Sequence, residues 1–189
     1  MELAVLGYAG ESGSREIWQS PVGRGQLNKR YPARFFRCFE AEADCGSRLA
    51  SAGDFLSEQG LLPEQVQEAS DGGVFAALWN LLKAQRIGAC FCQRAIPLRQ
   101  QTVEICELFG LNPFRLRAEG CFVCLVPEGE CFCREAEKAG LAAAVIGYTE
   151  PGCAIRRTDG EETAFLRRPE EDELLRFYRG SRRNEIKSK

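Results

Sequence analysis

Residues 71–91, DGGVFAALWNLLKAQRIGACF, decide the fold of this chain because they combine a glycine turn, an amphipathic helix and a strand. Apolar residues recur there at helical spacing and form one broad face around Trp79. The residues on that face are Val74, Leu78, Leu81 and Leu82. The pattern predicts a helix from Gly73 to about Arg86, followed by a strand from Ile87 to Ala95.

The alternation of strand and helix continues on the C-terminal side of this segment. The predicted elements there are a helix at Arg99–Phe109, a strand at Cys121–Val126, a helix at Glu130–Ala139, a strand at Ala142–Tyr148, a strand pair at Cys153–Thr158 and Glu162–Leu166, and a helix at Glu170–Tyr178. Gly110 and Gly140 mark helix ends, and Asp159-Gly160 predicts the turn between the paired strands.

The N-terminal side begins with a predicted strand at Glu2–Tyr8 and a glycine-rich turn at Gly7–Gly13, where Ser12 or Ser14 is expected to cap a helix. A further helix is predicted from Tyr31 to about Ala50. Each helix has an apolar stripe that needs a sheet face to bury it. The order of elements therefore predicts an α+β fold, with a mixed sheet covered by helices in α/β/α layers.

The composition is that of a globular protein: of 189 residues, 44% are hydrophobic and 28% are charged. We expect one domain over residues 1–178 and a polar, mainly basic, mobile tail over 179–189. The sequence has no signal-peptide pattern and no apolar stretch near the roughly 20 residues that span a bilayer, so we expect a cytoplasmic protein without membrane contact. Its net charge of -2 argues against nucleic acid as a partner.

Four stretches of the sequence follow one another in an order known from one family. They are residues 71–91, IPLRQQTVEICELFGLNPFRL at 96–116, GCFVCLVPEG at 120–129 and AGLAAAVIGYTEPG at 139–152. Together they resemble the C-terminal domain of AIR-synthase-related (PurM-like) proteins, particularly of HypE-like hydrogenase maturation factors. A weaker match extends to the N-terminal strand and glycine turn. The resemblance implies a three-layer fold, which the pattern of elements predicts independently.

The resemblance also implies what catalysis would require. Proteins of this family have an N-terminal half that supplies most acidic residues for Mg-ATP, and a C-terminal half that closes the active-site cleft. Only the C-terminal half is recognisable in this sequence. We therefore expect no cofactor on the chain alone, with ATP and magnesium bound only together with a partner domain.

The sequence departs from the family's polar motifs at several places. The His-Asp pair before the GG turn corresponds to Gln67-Glu68, a Glu in the GG helix corresponds to Asn80, and an SSG-like turn corresponds to Ala118-Glu119-Gly120. HypE-like enzymes that handle a carbamoyl group use a C-terminal cysteine, whereas this sequence ends RRNEIKSK. We assign no catalytic residues and expect that the chain alone is not a working enzyme.

The best candidate for a ligand site is Ser70-Asp71-Gly72-Gly73, at the start of the GG helix. Backbone N–H groups and the positive end of a helix dipole can hold an anion there. The structural alternative is that the glycines make a tight entry and Ser70 or Asp71 caps the helix. Gly10 and Gly13, in the first glycine turn, are the second candidate, and a plain turn explains them equally.

Ten cysteines in a chain without histidine raise the question of a metal site. The pairs that could supply thiolates are Cys90/Cys92, Cys121/Cys124 and Cys131/Cys133. In an extended segment Cys121 and Cys124 point to opposite faces, unlike the ligands of a metal-binding knuckle. We therefore assign no metal ligands and interpret the cysteines as reduced thiols, with a cysteine-based metal-binding protein as an alternative.

Two functions are compatible with these patterns. The first is a non-catalytic binding or regulatory protein derived from the enzyme family. The second is one half of a split ATP-dependent enzyme whose acidic N-terminal domain is a separate chain. In both cases the surface that packs on the N-terminal domain in related proteins is expected to bind a protein partner or a second copy of this chain.

Overall fold

Seven strands form one mixed sheet in a computed structural model that describes residues 1–37, 39, 45–160 and 162–187. The strands are β1 (Glu2–Leu6), β2 (Val66–Glu68), β3 (Gly88–Cys92), β4 (Phe122–Val126), β5 (Ala143–Glu150), β6 (Ile155–Thr158) and β7 (Thr163–Phe165). They pair in the order β2-β4-β1-β5-β3-β6-β7. The β3–β6 pair is parallel and the other pairs are antiparallel.

Helices lie on both faces of this sheet. In the described part of the chain they are α1 (Glu11–Gln19), α2 (Pro21–Arg30), α3 (Cys45–Glu58), α4 (Gly73–Gln85), α5 (Gln100–Phe109), α6 (Gly129–Lys138) and α7 (Glu173–Lys187). None of these described helices is long and apolar enough to cross a membrane. The predicted α+β fold is confirmed.

The alternation of side chains along β1 and β4 separates two apolar clusters. On the first face, Leu3 and Val123 pack with residues of α4 such as Leu78. On the second face, their neighbours Ala4 and Cys124 pack with α3 and α6. A third cluster joins α1, α2, α5 and α7 beside the sheet. The sheet is therefore enclosed on both faces around β1 and β4.

The other end of the sheet has one uncovered face. Cys90 of β3 is paired with Tyr148 of β5 and with Arg156 of β6, and Arg156 is paired with Phe165 of β7, so the four side chains share a face. Tyr148 is 54% exposed and Phe165 is 68% exposed. No described helix covers these residues, which we call the open face.

Several predicted boundaries differ from the structure. The helix predicted from Tyr31 to Ala50 is wrong at its start, because Ala33–Phe36 forms a short 3-10 helix, and helix α3 extends beyond Ala50 to Glu58. The rest of that prediction falls partly on residues 38 and 40–44, which lie outside the described residues. Helix α2 and strand β2 were not predicted, because α2 lacks an amphipathic pattern and β2 has only three residues.

The predicted end of the last helix, at Tyr178, is also wrong. Helix α7 begins at Glu173 and continues to Lys187. Residues 188–189 lie outside the described residues. The mobility of residues 179–189 stays a prediction.

Candidate functional site

Both glycine turns approach one stretch of backbone, residues 113–120, which we call the central segment. A Cβ added to Gly10 would lie 2.7 Å from a carbonyl oxygen of this segment, and one added to Gly73 would lie 2.5 Å from another. A Cβ on Gly13 would meet the Leu116 side chain at 2.7 Å. Close packing therefore explains these three glycines, and it brings both candidate sites to the same place.

Ser12 ties the first glycine turn to the central segment. Its hydroxyl accepts a hydrogen bond from the Glu119 amide (2.9 Å) and donates one to the Arg117 carbonyl oxygen (3.2 Å). The Gly13 amide donates to the same carbonyl oxygen at 3.1 Å. The prediction that Ser12 or Ser14 caps α1 is wrong. The helix begins earlier, at Glu11, and Gly10 is its N-cap. Ser12 instead joins the first turn of α1 to the central segment.

Glu68 ties the central segment to the other side of the site. One oxygen of its carboxylate accepts a hydrogen bond from the Gly120 amide at 3.0 Å. The Ala118 amide donates to the Ala69 carbonyl oxygen at 2.7 Å. Two of the places where the sequence departs from the motifs of the family that it resembles therefore contact each other, and both hold the backbone in place. The third, Asn80, lies apart from them on the exposed side of α4.

The start of α4 is capped by a residue that the sequence pattern did not predict. Gly72 is the N-cap, with a φ of 78°, and its amide donates to Oδ2 of Asp172 at 2.7 Å. The other oxygen of this buried carboxylate accepts from the Leu174 amide in the first turn of α7, at 2.8 Å. The expected cap by Ser70 or Asp71 is therefore wrong. Asp172 binds the N-termini of two helices at once.

Asp71 instead forms an ion pair with Arg117 of the central segment. Partial burial acts to lower the pKa of Arg117, but the hydrogen bond and charge of Asp71, together with the charges of Asp172 and Glu119, raise it. Three carboxylates therefore surround one guanidinium at the start of α4. Ser70 is exposed, and its carbonyl oxygen accepts from the Gly73 amide at 3.2 Å.

A buried ionic cluster lies at the start of α1. Glu11 is 6% exposed, and its carboxylate lies 3.0 Å from Nε of Arg99 and 3.6 Å from the guanidinium of Arg15. Arg99 also lies over the ring of Tyr8, 4.2 Å from its centre. Each glycine turn thus has a buried carboxylate of the chain itself at the start of its helix. The sequence offered a signal only for Glu11, an acidic residue in a first turn.

The cysteines are distributed over separate parts of the core and surface. Cys121 belongs to the first-face cluster and Cys124 to the second, in agreement with the predicted alternation. Burial raises the pKa of Cys106 and of Cys124 to about 12, so these thiols are protonated near neutral pH. Within the described residues no group of three or more Cys, Asp or Glu side chains could hold a metal ion. The assignment of no metal ligands stays a prediction.

Comparisons with known proteins give the relatives of this chain. No family model matches it. The carbamoyl dehydratase HypE of Rhodobacter capsulatus is 30% identical over 115 residues, which are 57% of this chain and 33% of that protein. The crystal structure of Escherichia coli HypE has a TM-score of 0.70 and 23% identity, covering 93% of this chain and 52% of that one.

Thiamine monophosphate kinase of Aquifex aeolicus shares the fold more distantly, with a TM-score of 0.52, 18% identity, and coverage of 85% of this chain and 50% of the kinase. The chain thus spans about a third of the curated relative and about half of each solved structure. The resemblance read from the sequence is confirmed: this chain is a relative of HypE and has the PurM-like fold of AIR-synthase-related proteins.

Proposed function

We propose that this chain is a binding or regulatory protein that does not hydrolyse ATP by itself. Among the similar solved structures, one is HypE in complex with ATP and another is a complex of HypE with HypF. The fold is thus found in proteins that bind a nucleotide and a protein partner. The polar groups around the two glycine turns support a role in binding a protein partner rather than a nucleotide.

The observation that carries the proposal is the buried carboxylate of Asp172 at the start of α4. A helix N-terminus attracts an anion because its first amides have no partner within the helix and its dipole is positive there. In this chain Asp172 already accepts the hydrogen bond of the Gly72 amide. A phosphate group in the same place would displace this carboxylate, and the like charges would repel each other.

The charges around the start of α4 also disfavour the binding of a phosphate group. Asp71 and Glu119 add two negative charges, and the nearby Arg117 is already paired with Asp71. Ser12 and Glu68, which could otherwise contact a ligand, bind the backbone of the central segment. An ATP phosphate would therefore have to break several internal contacts at once. Nucleotide and magnesium binding, in our proposal, need a partner domain.

The test is a phosphate-release assay on the purified chain with ATP and magnesium. We expect release no faster than in a control without protein. The matched variants are Asp71→Ala and Asp54→Ala, because both residues are exposed and Asp54 lies on α3, on the opposite face of the sheet. Magnesium-dependent release that Asp71→Ala abolishes and Asp54→Ala preserves would contradict the proposal.

The open face favours one half of a split enzyme as a second candidate function. Tyr148 and Phe165 expose more than half of their surface on this face, beside the partly exposed thiol of Cys90. Exposed aromatic residues on a sheet face are typical of a surface that packs against another domain or a second copy of the chain. Affinity purification from the native cell should then recover a related nucleotide-binding chain. Recovery of only a monomer or a self-dimer would contradict this second candidate.

A further inference from the structure

A cavity of about 480 Å³ adjoins the start of α4 and is lined on its other sides by three arginines from separate parts of the chain. Arg115 comes from the short 3-10 helix Pro113–Arg115, Arg157 from β6, and Arg168 from the segment that connects β7 to α7. We call it the arginine cavity. Its volume lies in the range of ligand-binding cavities.

The strand register decides which side chains of the β6–β7 pair reach this cavity. Arg157 is paired with Ala164, one position along from the pair of Arg156 and Phe165, so these two pairs lie on opposite faces of the sheet. The Arg157 guanidinium lies 6.0 Å from the centre of the Phe75 ring, which belongs to the first-face cluster. The cavity is therefore on the α4 side of the sheet, and the Phe165 ring, on the open face, takes no part in it.

One carboxylate of the chain already lies among these arginines. The Arg115 guanidinium lies 2.6 Å from Oε2 of Glu170, whose side chain is 76% exposed. The hydrogen bond and charge of Arg115, together with the charge of Arg167, lower the pKa of Glu170, so this carboxylate is ionised near neutral pH. Glu170 thus shows which kind of group the cavity accepts at its surface, namely a carboxylate bound by a guanidinium.

The other two arginines of the cavity have no such partner. Within the described residues no ion pair involves Arg157 or Arg168. A guanidinium binds a carboxylate through two parallel N–H donors, and both groups keep these donors for an incoming anion. Because the arginines come from separate elements, a chain with several carboxylates engages them together better than one small anion does.

Buried carboxylates beside the cavity disfavour a phosphate group as its ligand. Asp172 accepts the hydrogen bond of the Gly72 amide, and Glu173 lies 3.9 Å from the Arg115 guanidinium. Their repulsion acts more strongly on a doubly charged phosphate than on a singly charged carboxylate. Leu166 and Pro169 also line the cavity and give it apolar surface against which a peptide can pack.

We propose that the arginine cavity binds an acidic peptide segment of a partner protein, with the carboxylates of the segment on Arg157 and Arg168. Glu170 competes with the segment as an internal carboxylate. This inference rests on the proposed function, the binding of a protein partner, and specifies the chemistry of that partner. The cavity is separate from the open face, so it does not depend on the split-enzyme candidate.

The test is fluorescence anisotropy of labelled, capped hexapeptides with the intact chain at low salt. One peptide consists of six glutamates and the other of six glutamines. We expect hexaglutamate to bind at least about tenfold more tightly, because only its carboxylates pair with the arginines. Equal binding of the two peptides, or no binding of hexaglutamate, would overturn the proposal. An oligothymidylate of six nucleotides that binds as tightly as hexaglutamate would also overturn it, because the surface would then accept any polyanion.

Two neighbouring glutamates provide a matched test of the internal carboxylate. Glu170→Gln removes the carboxylate bound to Arg115 and should tighten hexaglutamate binding about threefold or more. Glu171→Gln removes the same charge and frees Arg179, which does not line the cavity, so it should change the affinity by less than about twofold. An equal gain in both variants would show general charge attraction and overturn the proposal.

Removal of the two unpaired arginines should weaken binding. The double variant Arg157→Gln and Arg168→Gln is expected to lose about tenfold or more in hexaglutamate affinity. Its control, Lys29→Gln with Arg134→Gln, removes two charges at exposed positions of α2 and α6 outside the cavity and should lose less than about threefold. Equal losses would overturn the proposal. Should the double variant fail to fold, Arg168→Gln alone, at an exposed position, should lose about threefold, and an unchanged affinity would overturn the proposal.

The phosphate-release assay with ATP distinguishes this inference from the proposed function. Hexaglutamate binding without ATP hydrolysis supports both. Hydrolysis that depends on Asp71 contradicts the proposed function, whatever the arginine cavity binds. An absence of both hydrolysis and hexaglutamate binding overturns the assignment of an acidic segment alone.

Discussion

The strands β4 and β3 lie in the same sheet but differ in how many of their faces are covered. All five residues of β4, FVCLV, are buried, because helices cover both faces there. In β3, GACFC, Cys90 and Cys92 are only partly buried, whereas Ala89 and Phe91 between them lie in the core. A continuous apolar run thus indicates a strand covered on two faces, and alternation indicates one covered face. The difference separates the covered end of the sheet from the open face.

The largest effect on stability is expected when a phenylalanine is removed from the covered end of the sheet rather than from the open face. Phe122→Ala in β4 should lower the free energy of unfolding by about 3 kcal/mol or more, because it leaves a cavity between the sheet and α3. Phe165→Ala on the open face should change it by less than about 0.5 kcal/mol. Urea denaturation of both variants measures the difference. Equal losses would mean that the open face is covered in solution.

The second effect concerns Asp172, which caps the helix that packs on the covered end. Asp172→Ala removes the acceptor of the Gly72 and Leu174 amides, and we expect a loss of about 1–3 kcal/mol in the free energy of unfolding. The neighbouring Glu171 pairs with Arg179 at the surface, so Glu171→Ala is the control and should cost less than about 0.5 kcal/mol. A harmless Asp172→Ala substitution would disprove the cap.

The third effect is a pH dependence of stability that comes from the covered end. The folded-state pKa of Cys124 is about 12, above its ordinary value of 9.0, so the fold favours the neutral thiol. This contribution is fully present below about pH 9 and is lost as the pH rises towards 12. The free energy of unfolding of the unsubstituted chain should fall between pH 8 and 10, because the Cys124 thiol ionises more readily in the unfolded state. We expect Cys124→Ala to reduce this fall by about 1 kcal/mol.

The control for this pH dependence is the exposed Cys131, on α6. Cys131→Ala should leave the fall in stability between pH 8 and 10 unchanged. Labelling with a maleimide, followed by mass spectrometry, adds a second measurement: Cys131 and Cys153 should react in the native protein, whereas Cys121 and Cys124 should react only after unfolding. Rapid native labelling of Cys124 would contradict its burial.

The smallest effect is expected for the ion pair between Glu150 and Arg156, a residue of the open face. Both groups are partly exposed, and water and salt screen such pairs. Arg156→Ala should leave the midpoint of urea denaturation within experimental error at 150 mM salt. A clear destabilisation would indicate that this face is buried against another copy of the chain.

Local patterns in the sequence predicted most of the elements but few of the contacts between them. The helical spacing after Gly73 placed α4 to within one residue, because its apolar face packs on the sheet and its glycine pair sets its start. The cap of that helix was missed, because Asp172 lies 100 residues away and no local signal links it to Gly72.

The sequence placed the glycine turns correctly but did not decide whether they bind a ligand. The sequence placed Gly10, Gly13 and Gly73 at helix starts, as the structure does. It could not show that the central segment passes within van der Waals distance of all three, because that contact depends on the tertiary fold. Their role in ligand binding stays a prediction.

The carboxylate of Asp172 makes the start of one helix depend on the attachment of another. The Gly72 amide is protected from deuterium exchange only while α7 stays docked, so its exchange rate measures detachment of α7 rather than fraying of α4. During synthesis, α4 leaves the ribosome about 100 residues before Asp172 does. The first turn of α4 therefore acquires its hydrogen-bond acceptor only after Asp172 has been translated.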